Sequence, residues 1–272
     1  MRILDSGRTW IPTAVLCLAL SSIVHASGDP ALSKDQVKQF LLNAKVVHGS
    51  VSSKGVTHPW RLTLSDGTLT HDASFQAVDE HKSSEKLVGR TEHNFVDSYK
   101  YNIAAYELAE LLGLDDMVPV YVERKWEGKV GSLSWWLPVK MDAGERLKRH
   151  IPVPDSDAWN KQMYKVLVFD QLVYDTDDNM TNLLITEDWK LWRIDFTSAF
   201  RLWNTVATPK NLMHCDRQLF SKLKTLDGGE VATRTKGFLT KPEVESVMAR
   251  RDKIVAYIQK LIAQKGEDAV LY

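Results

Sequence analysis

The first half of the chain alternates between strand-like and helix-like patterns of apolar and polar positions. Residues 60–69 alternate apolar with polar side chains and contain the turn pair Asp66-Gly67, a pattern that predicts a β-hairpin. A further strand is predicted at 73–78. In 99–114 the apolar positions recur at helical spacing, so this segment is predicted to be a helix.

The neighbouring segments follow the same two periods. Residues 33–47 predict a short amphipathic helix, and 159–174 predict a longer one. Residues 118–122 and 129–139 read as the two strands of another hairpin. The polar stretch 79–98 shows neither period and is predicted to be a long loop, which in a compact domain is often mobile or functional.

The C-terminal third is predicted to be helical and structural. Helical periodicity covers 209–226 and again 241–265. Arg250, Arg251 and Lys253 are interpreted as a solvated face of the second of these helices rather than as a site for a polyanion. This part of the chain contains no recognisable activation segment, so a peptide-substrate platform of the ordinary kind is not predicted.

Composition and charge narrow the class of protein. The 272 residues are 44% hydrophobic, with 35 basic and 35 acidic side chains, so the chain can bury a sizeable core as one compact unit. A dedicated nucleic-acid binder would normally show a basic excess, so no nucleic-acid partner is expected. Eight scattered histidines do not form a zinc pattern.

The N-terminus has the layout of a secretory signal peptide. Arg2 and Arg8 precede an apolar run at 10–24, and a cleavage motif ends at Ala26. The run is too short for a good membrane span, and a retained anchor helix is the alternative interpretation. Cleavage would leave Cys215 as the single cysteine, so no internal disulfide is expected. The expected location is periplasmic or secreted, with no stable membrane span after cleavage.

The candidate chemistry lies in the segment 168–200. Asp177 is followed five positions later by Asn182, and a hairpin-like stretch then leads to Asp195. Phosphoryl transfer needs a carboxylate to orient the acceptor hydroxyl, and oxygen ligands to hold metal ions on the phosphates. We therefore assign Asp177 as the catalytic residue and Asn182 and Asp195 as metal ligands. The alternative is an ordinary turn, because Asp and Asn are common loop residues.

The acid, amide, hairpin, acid order of 177–195 resembles the catalytic and metal-binding loops of the protein-kinase-like fold. Residues 172–177 are most similar to the atypical phosphatidylinositol 4-kinase, HipA and secreted Golgi casein kinase branches, here in a bacterial exported member. The resemblance implies an α+β, two-lobed fold. A signal peptide at 1–26 would precede an N-lobe at 27–140, made of a small antiparallel β-sheet plus a helix, and a mainly α-helical C-lobe at 141–272.

The resemblance also implies the ligands. ATP would lie between the lobes with Mg or Mn, and the acceptor would be an unidentified protein, lipid or small molecule. The cofactor-binding positions are Gly49, Ser50, Ser52, Ser53 and Gly55 in a Gly/Ser loop, Gln76 on the third strand, Asn102 in the helix, and Trp136, Leu137 and Val139 at the hinge.

Two positions depart from the pattern of the family. Gln76 stands where the family has a lysine that grips the phosphates, and Asn102 stands where that lysine has its acidic partner. Two amides leave no lone buried charge, so the pair of changes is electrostatically consistent. One electrostatic contact to the phosphates is then missing unless Lys82, Lys86 or Arg90 supplies the cation, and a pseudokinase would not need it.

Three functions remain open on these residues. The first is an ATP-dependent phosphotransferase, and the second is a pseudokinase that binds a nucleotide or a protein partner without turnover. The third is a nucleotidyl transferase on the same fold. Glu107 is an alternative acidic partner on another face of the helix, and Glu110 is expected to be solvated; a structural role is favoured for both.

Overall fold

The computed structural model describes residues 32–51, 59–87, 90–177 and 179–272, and residues from Ser33 onward form one compact unit. The unit begins with helix α1 (Lys34–Asn43). Ser33 accepts a hydrogen bond from the backbone of Gln36, whose side chain in turn accepts one from the backbone of Ser33. This reciprocal capping fixes where the helix starts.

A five-stranded antiparallel sheet follows, with β3 at its centre. The strand order is β1-β2-β3-β7-β6. The strands are β1 (Lys45–Val51), β2 (Trp60–Ser65), β3 (Thr70–Gln76), β6 (Tyr121–Trp126) and β7 (Lys129–Trp135). The alternation in 60–69 is explained by burial, because Leu62 and Leu64 are fully buried on the core side of the sheet.

Helix α2 (Tyr99–Leu112) packs beside this sheet, as its apolar period predicts. Ser98 caps its first turn. Gly113 follows with a φ of +70°, a left-handed conformation that glycine adopts without a steric penalty. The predicted helix over 99–114 is confirmed.

The long loop predicted for 79–98 is wrong. The segment forms a two-stranded antiparallel hairpin of β4 (Asp79–Leu87) and β5 (Arg90–Ser98). Its strands are held by their mutual backbone ladder, and Phe95 is a buried hydrophobic side chain near its base. Because most of its side chains are polar and exposed, the apolar alternation that marks a strand with one buried face is missing.

The rest of the unit is mainly helical around a small second sheet of order β10-β9-β8. Its strands are β8 (Val139–Asp142), β9 (Leu183–Thr186) and β10 (Leu191–Arg193). The helices are α3 (Ala143–Lys148), α4 (Ser156–Val173), α5 (Arg217–Thr225), α6 (Gly228–Arg234) and α7 (Lys241–Lys265). No helix within the described ranges is both long and apolar enough to cross a membrane.

The C-terminal region differs from its predicted pattern at two places. The single helix expected over 209–226 is divided into a short 3-10 turn at Pro209–Asn211 and helix α5. Arg250 is fully buried. The side chain of Arg251 is 16% exposed, and its guanidinium donates to the backbone carbonyl oxygens of Leu223 and Leu226 at the end of α5. The interpretation as a solvated face is therefore wrong for both arginines, although Lys253 is exposed.

Candidate active site

Asp177 and Asn182 lie in the loop that leaves helix α4. The helix ends at Val173 and is capped by Tyr174, whose φ of +50° turns the chain into the loop. Asn182 Nδ2 donates to Asp177 Oδ2 at 3.0 Å, and the backbone N–H of Asn179 donates to Asp177 Oδ1 at 3.2 Å. Each oxygen of the Asp177 carboxylate therefore has a donor that fixes its orientation.

The β9–β10 hairpin returns the chain to this loop and places Asp195 beside it. The backbone N–H of Ile194 donates to the carbonyl oxygen of Asn182 at 3.0 Å. Asp195 has a φ of +59°, a left-handed conformation that Asp tolerates better than most residues. The acid, amide and later acid of the sequence pattern thus lie on neighbouring backbone segments.

Arg193 is the central cation of this region and was not among the predicted site residues. Its guanidinium, 5% exposed, forms ion pairs with Asp170 at 3.2 Å and with Asp175. It also donates to the carbonyl oxygens of Asp177 at 3.0 Å and Ile194 at 2.5 Å. Burial alone would lower the pKa of Arg193, but the surrounding carboxylates raise it. An arginine within an apolar strand was the available signal.

The side-chain amides of Gln76 and Asn102 lie behind Asp195 together with the hydroxyl of Ser132, and these three groups are called the amide cluster. Gln76 Nε2 donates to Asp195 Oδ1 at 3.3 Å, and Gln76 Oε1 accepts from Asn102 Nδ2 at 2.8 Å. Asn102 Nδ2 also lies 3.2 Å from Ser132 Oγ. The backbone N–H of Phe196 donates to Asn102 Oδ1 at 2.7 Å. Strand β3 and helix α2 are therefore coupled to Asp195 by neutral groups, in the place of an ion pair.

The electrostatics of Asp195 reflect this neutral surrounding. Burial raises the pKa of Asp195 above its ordinary value, and hydrogen bonds from Gln76 and Thr197 oppose the shift. The negative charges of Asp97 and Asp177 raise the pKa further. The carboxylate is therefore held in place by hydrogen bonds while it remains under repulsion from other acids.

The predicted phosphate loop is only partly within the described residues. Gly49 and Ser50 belong to β1, whereas Ser52, Ser53 and Gly55 lie outside the described residues. A Cβ on Gly49 would lie 3.1 Å from a methyl carbon of Leu62 and 3.2 Å from the Trp126 ring. The small size of Gly49 thus has a packing explanation in β1.

The predicted hinge residues lie where the large sheet leads into β8. The Trp136 ring stacks on the guanidinium of Arg61 at 4.5 Å, and the backbone N–H of Trp136 donates to the backbone carbonyl oxygen of Asp72 at 3.2 Å. Leu137 is buried, and Val139 is exposed at the start of β8. The three residues therefore form the connection between the two sheets, beside the end of β7.

The candidate replacement cations are located on the β4–β5 hairpin. Lys82 forms ion pairs with Glu80 at 2.8 Å and with Glu85 at 3.0 Å. Lys86 is exposed, and the side chain of Arg90 is outside the described residues. The Lys82 ammonium is thus engaged by carboxylates of its own hairpin.

The expectation that Glu110 is solvated is wrong. Its side chain is 18% exposed and forms ion pairs with Lys38 at 2.8 Å and with Arg234. Tyr106 donates to it at 2.6 Å. Glu107 forms ion pairs with the same two cations. Both acids therefore connect α2 to α1 and α6, which is the structural role that was favoured for them.

Among the described residues, no three His, Cys, Asp or Glu side chains are grouped so that they could hold a metal ion by themselves. A cation at Asp195 would therefore take its other ligands from the Asn182 amide oxygen, from water and from phosphate. Mg²⁺ sites with substrate phosphates are commonly built in this way, with only one or two carboxylates.

Solved structures resemble the fold of this chain at low sequence identity. Hydra Fam20 with sugar has a TM-score of 0.64 at 14% identity, covering 90% of this chain and 93% of that chain. The Golgi casein kinase with Mn/ADP bound has a TM-score of 0.60 at 11% identity, covering 88% and 78%. The Helicobacter pylori proinflammatory kinase CtkA has 0.51 at 9% identity, covering 83% and 98%.

No family model matches the chain, and no curated protein matches it. The structural similarity nevertheless extends over most of the chain and confirms the predicted α+β class, with a small antiparallel sheet lobe plus helices. This chain has an atypical protein-kinase-like fold.

Proposed function

We propose that the chain is an exported ATP-dependent phosphotransferase that uses Mg or Mn and acts on a hydroxyl acceptor. The observation that supports it most is that the backbone segments carrying Asp177, Asn182 and Asp195 are hydrogen-bonded to one another. The side-chain amide of Asn182 donates to Asp177 at 3.0 Å. The backbone carbonyl oxygen of Asn182 accepts from the backbone N–H of Ile194, the residue before Asp195, at 3.0 Å. A carboxylate, an amide and a second carboxylate, the residue types that suit phosphoryl transfer, thus lie on neighbouring segments although they are separated along the chain.

The ligand atoms suit a hard divalent cation. Asn182 uses its amide nitrogen on Asp177, so Oδ1 is the atom of its amide that can coordinate a cation. Asp195 supplies carboxylate oxygen, and oxygen donors of these types favour Mg and Mn over softer metals. A bound cation would neutralise charge on the phosphates. The Golgi casein kinase, which has a similar fold, has been solved with Mn/ADP bound, and this supports the choice of Mg or Mn as the cation.

Asp177 is assigned to the acceptor. Its two oxygens are held by donors from Asn179 and Asn182. An ionised carboxylate oxygen has more than one acceptor position, so Asp177 can still accept a hydrogen bond from the acceptor hydroxyl. It would orient that hydroxyl and take its proton as the bond to phosphorus forms.

The nucleotide is assigned to the polar positions along the two interior strands β3 and β7. Gln76 is opposite Ser132, and Ala73 is opposite Trp135, just before the hinge. The hinge begins at Trp136, which bonds Asp72, and therefore lies four residues, about 13 Å, along the strand from Gln76. A base at the hinge would leave the phosphates near Gln76 and Asp195, where Gln76 can donate a hydrogen bond but no charge.

A pseudokinase is the second candidate, and the amide cluster favours it. The side chain that replaces the phosphate-binding lysine is neutral, and it already donates to Asp195. A nucleotide would lose one electrostatic contact at this position. Binding without turnover would follow if no other cation reaches the phosphates.

The test compares binding with transfer. Isothermal titration with ATP and Mn should show binding to the wild-type chain and strong loss in Asp195→Asn. Glu187→Gln, which removes an exposed acid from the β9–β10 turn, is the matched control and should bind normally. Asp177→Asn should bind ATP and Mn but should not modify acceptors.

Mass spectrometry of the acceptors and of the chain itself then identifies the transferred group. Phosphate supports the phosphotransferase, and a nucleotidyl group supports the nucleotidyl transferase instead. Binding without either product supports the pseudokinase. Binding that is unaffected by Asp195→Asn would refute the proposed site.

Export has its own test, because the N-terminal segment lies outside the described residues. N-terminal sequencing of the protein purified from the periplasm or the medium should begin at Ser27. Recovery of the protein only from the cytoplasm with Met1 or Arg2 at its start would contradict export by cleavage.

A further inference from the structure

Asp97, which the sequence analysis did not select, lies at the edge of the candidate active site. It is the second-last residue of β5, opposite Glu80 across the hairpin. The next residue, Ser98, donates its backbone N–H to the carbonyl oxygen of Thr197 at 2.9 Å. The base of the β4–β5 hairpin is therefore joined to the segment that carries Asp195.

The carboxylates here have too few hydrogen-bond donors. Thr197 Oγ1 lies 3.2 Å from Asp195 Oδ1, and an interaction with the same hydroxyl opposes the rise that burial causes in the pKa of Asp97. A threonine hydroxyl has one proton, so it can donate to only one of the two carboxylates at a time. Asp97 Oδ1 is buried, and no donor in the described part of the chain reaches it.

An unpaired buried carboxylate oxygen is costly, and the charges around it add to the cost. Asp97 is repelled by Glu80 and Asp177, and it also repels Asp195. Arg201 attracts Asp97, but its guanidinium also donates to the carbonyl oxygen of Val96 at 2.5 Å. A positively charged hydrogen-bond donor between Asp97 and Asp195 would reduce the repulsion between the two carboxylates and would supply the missing donor.

We propose that Asp97 is a positioning residue of the metal site, where it accepts a hydrogen bond from a water molecule bound to the divalent cation on Asp195. The inference rests on the proposed function. Mg²⁺ in nucleotide sites usually keeps several water ligands, whose protons need acceptors. A role through water also agrees with the absence, among the described residues, of any three His, Cys, Asp or Glu side chains placed to hold a metal ion directly.

The experiment measures Mn²⁺ affinity in the presence of ADP, with free Mn²⁺ followed by electron paramagnetic resonance. Asp97→Asn keeps the shape but removes the charge, and it should weaken Mn²⁺ binding about 10–100-fold, as loss of an outer-shell partner does. Glu80→Gln is the matched control on the same hairpin, with a side chain that is 52% exposed. It should bind Mn²⁺ nearly as the wild type does.

A second readout separates positioning from a structural role. Without metal, Asp97→Asn should have a thermal midpoint equal to or above that of the wild type, because a repelled charge is removed. A lowered midpoint together with weaker Mn²⁺ binding would overturn the inference in favour of a structural role.

Two further outcomes keep the inference distinct from the proposed function. If Asp97→Asn binds Mn²⁺ as the wild type does while Asp195→Asn does not, the role of Asp97 is refuted and the metal site stands. If the wild type itself fails to bind Mn²⁺ with ADP, both proposals fail.

Discussion

Replacing Arg193 by Met should destabilise the fold far more than replacing an exposed arginine with the same number of ion pairs. The Arg193 guanidinium pairs with Asp170 and Asp175, and Asp175 is 1% exposed. Met has a similar length and fills part of the space, so the change removes the charge and the donors with little loss of volume.

The magnitude follows from the partner that is left behind. Asp175 would remain buried without its cation, and breaking a buried pair in this way costs about 3–5 kcal/mol. Typical domains have only about 5–15 kcal/mol of stability, so the loss is a large share of the total. A second change, Asp175→Asn, removes the stranded charge and should recover part of the loss.

Urea denaturation followed by tryptophan fluorescence measures the free energy of unfolding of each variant. Arg217 is the matched control, because it also pairs with two carboxylates, Glu267 and Asp268, but its side chain is 43% exposed. Arg217→Met should cost at most about 1 kcal/mol.

Equal losses in Arg193→Met and Arg217→Met would refute the reasoning, since burial would then make no difference to the ion pair. The same conclusion would follow if Asp175→Asn made Arg193→Met less stable rather than more stable.

Three further predictions concern other parts of the unit. Arg250→Met should lower the free energy of unfolding by about 3 kcal/mol, because two buried carbonyl oxygens and a part-buried one lose their donor, whereas Lys253→Met should change it little in the same urea assay. Burial raises the pKa of the Cys215 thiol to about 12, so little of it is the reactive thiolate at pH 8. Its alkylation at pH 8, followed by peptide mass spectrometry, should therefore be about a hundredfold slower in the folded chain than in urea. Equal rates would contradict the burial of Cys215. Gln76→Lys combined with Asn102→Glu should strengthen Mn–ADP binding about tenfold by calorimetry, as one added charge contact would; no gain would show that another cation serves the phosphates.

The elements that sequence could predict are those whose periodicity is local. Helix α2 and the hairpin around Asp66-Gly67 were predicted because buried side chains recur at fixed spacing within each element. The β4–β5 hairpin was missed for the opposite reason. Its strands bury few side chains, so its polar sequence carries no period that distinguishes a strand from a loop.

Burial by distant segments was not predictable from local pattern either. Arg250 occupies a helix face with two other cations nearby in sequence, which is typical of a solvated surface. In the structure, its donors reach the carbonyl oxygens of Leu172, Arg201 and Trp203, between 47 and 78 residues away. Such contacts depend on where other elements lie and leave no trace in the helix itself.

The candidate site shows both cases. The spacing of Asp177, Asn182 and Asp195 could be read because a short loop and a hairpin connect them, and the fold implied by that spacing is confirmed. Their chemical roles remain predictions. The bond from Phe196 to Asn102 spans 94 residues, so the coupling of the amide cluster to Asp195 required the structure.

The most direct test of the central claim is a crystal structure of the wild-type chain with Mn²⁺ and ADP, with the metal located by anomalous diffraction. The account predicts an anomalous peak at roughly 2.0–2.3 Å from the carboxylate of Asp195 and the amide oxygen of Asn182, with Asp177 on the acceptor side. ADP bound in the cleft with no Mn²⁺ peak at Asp195, or a peak held by other residues, would contradict it.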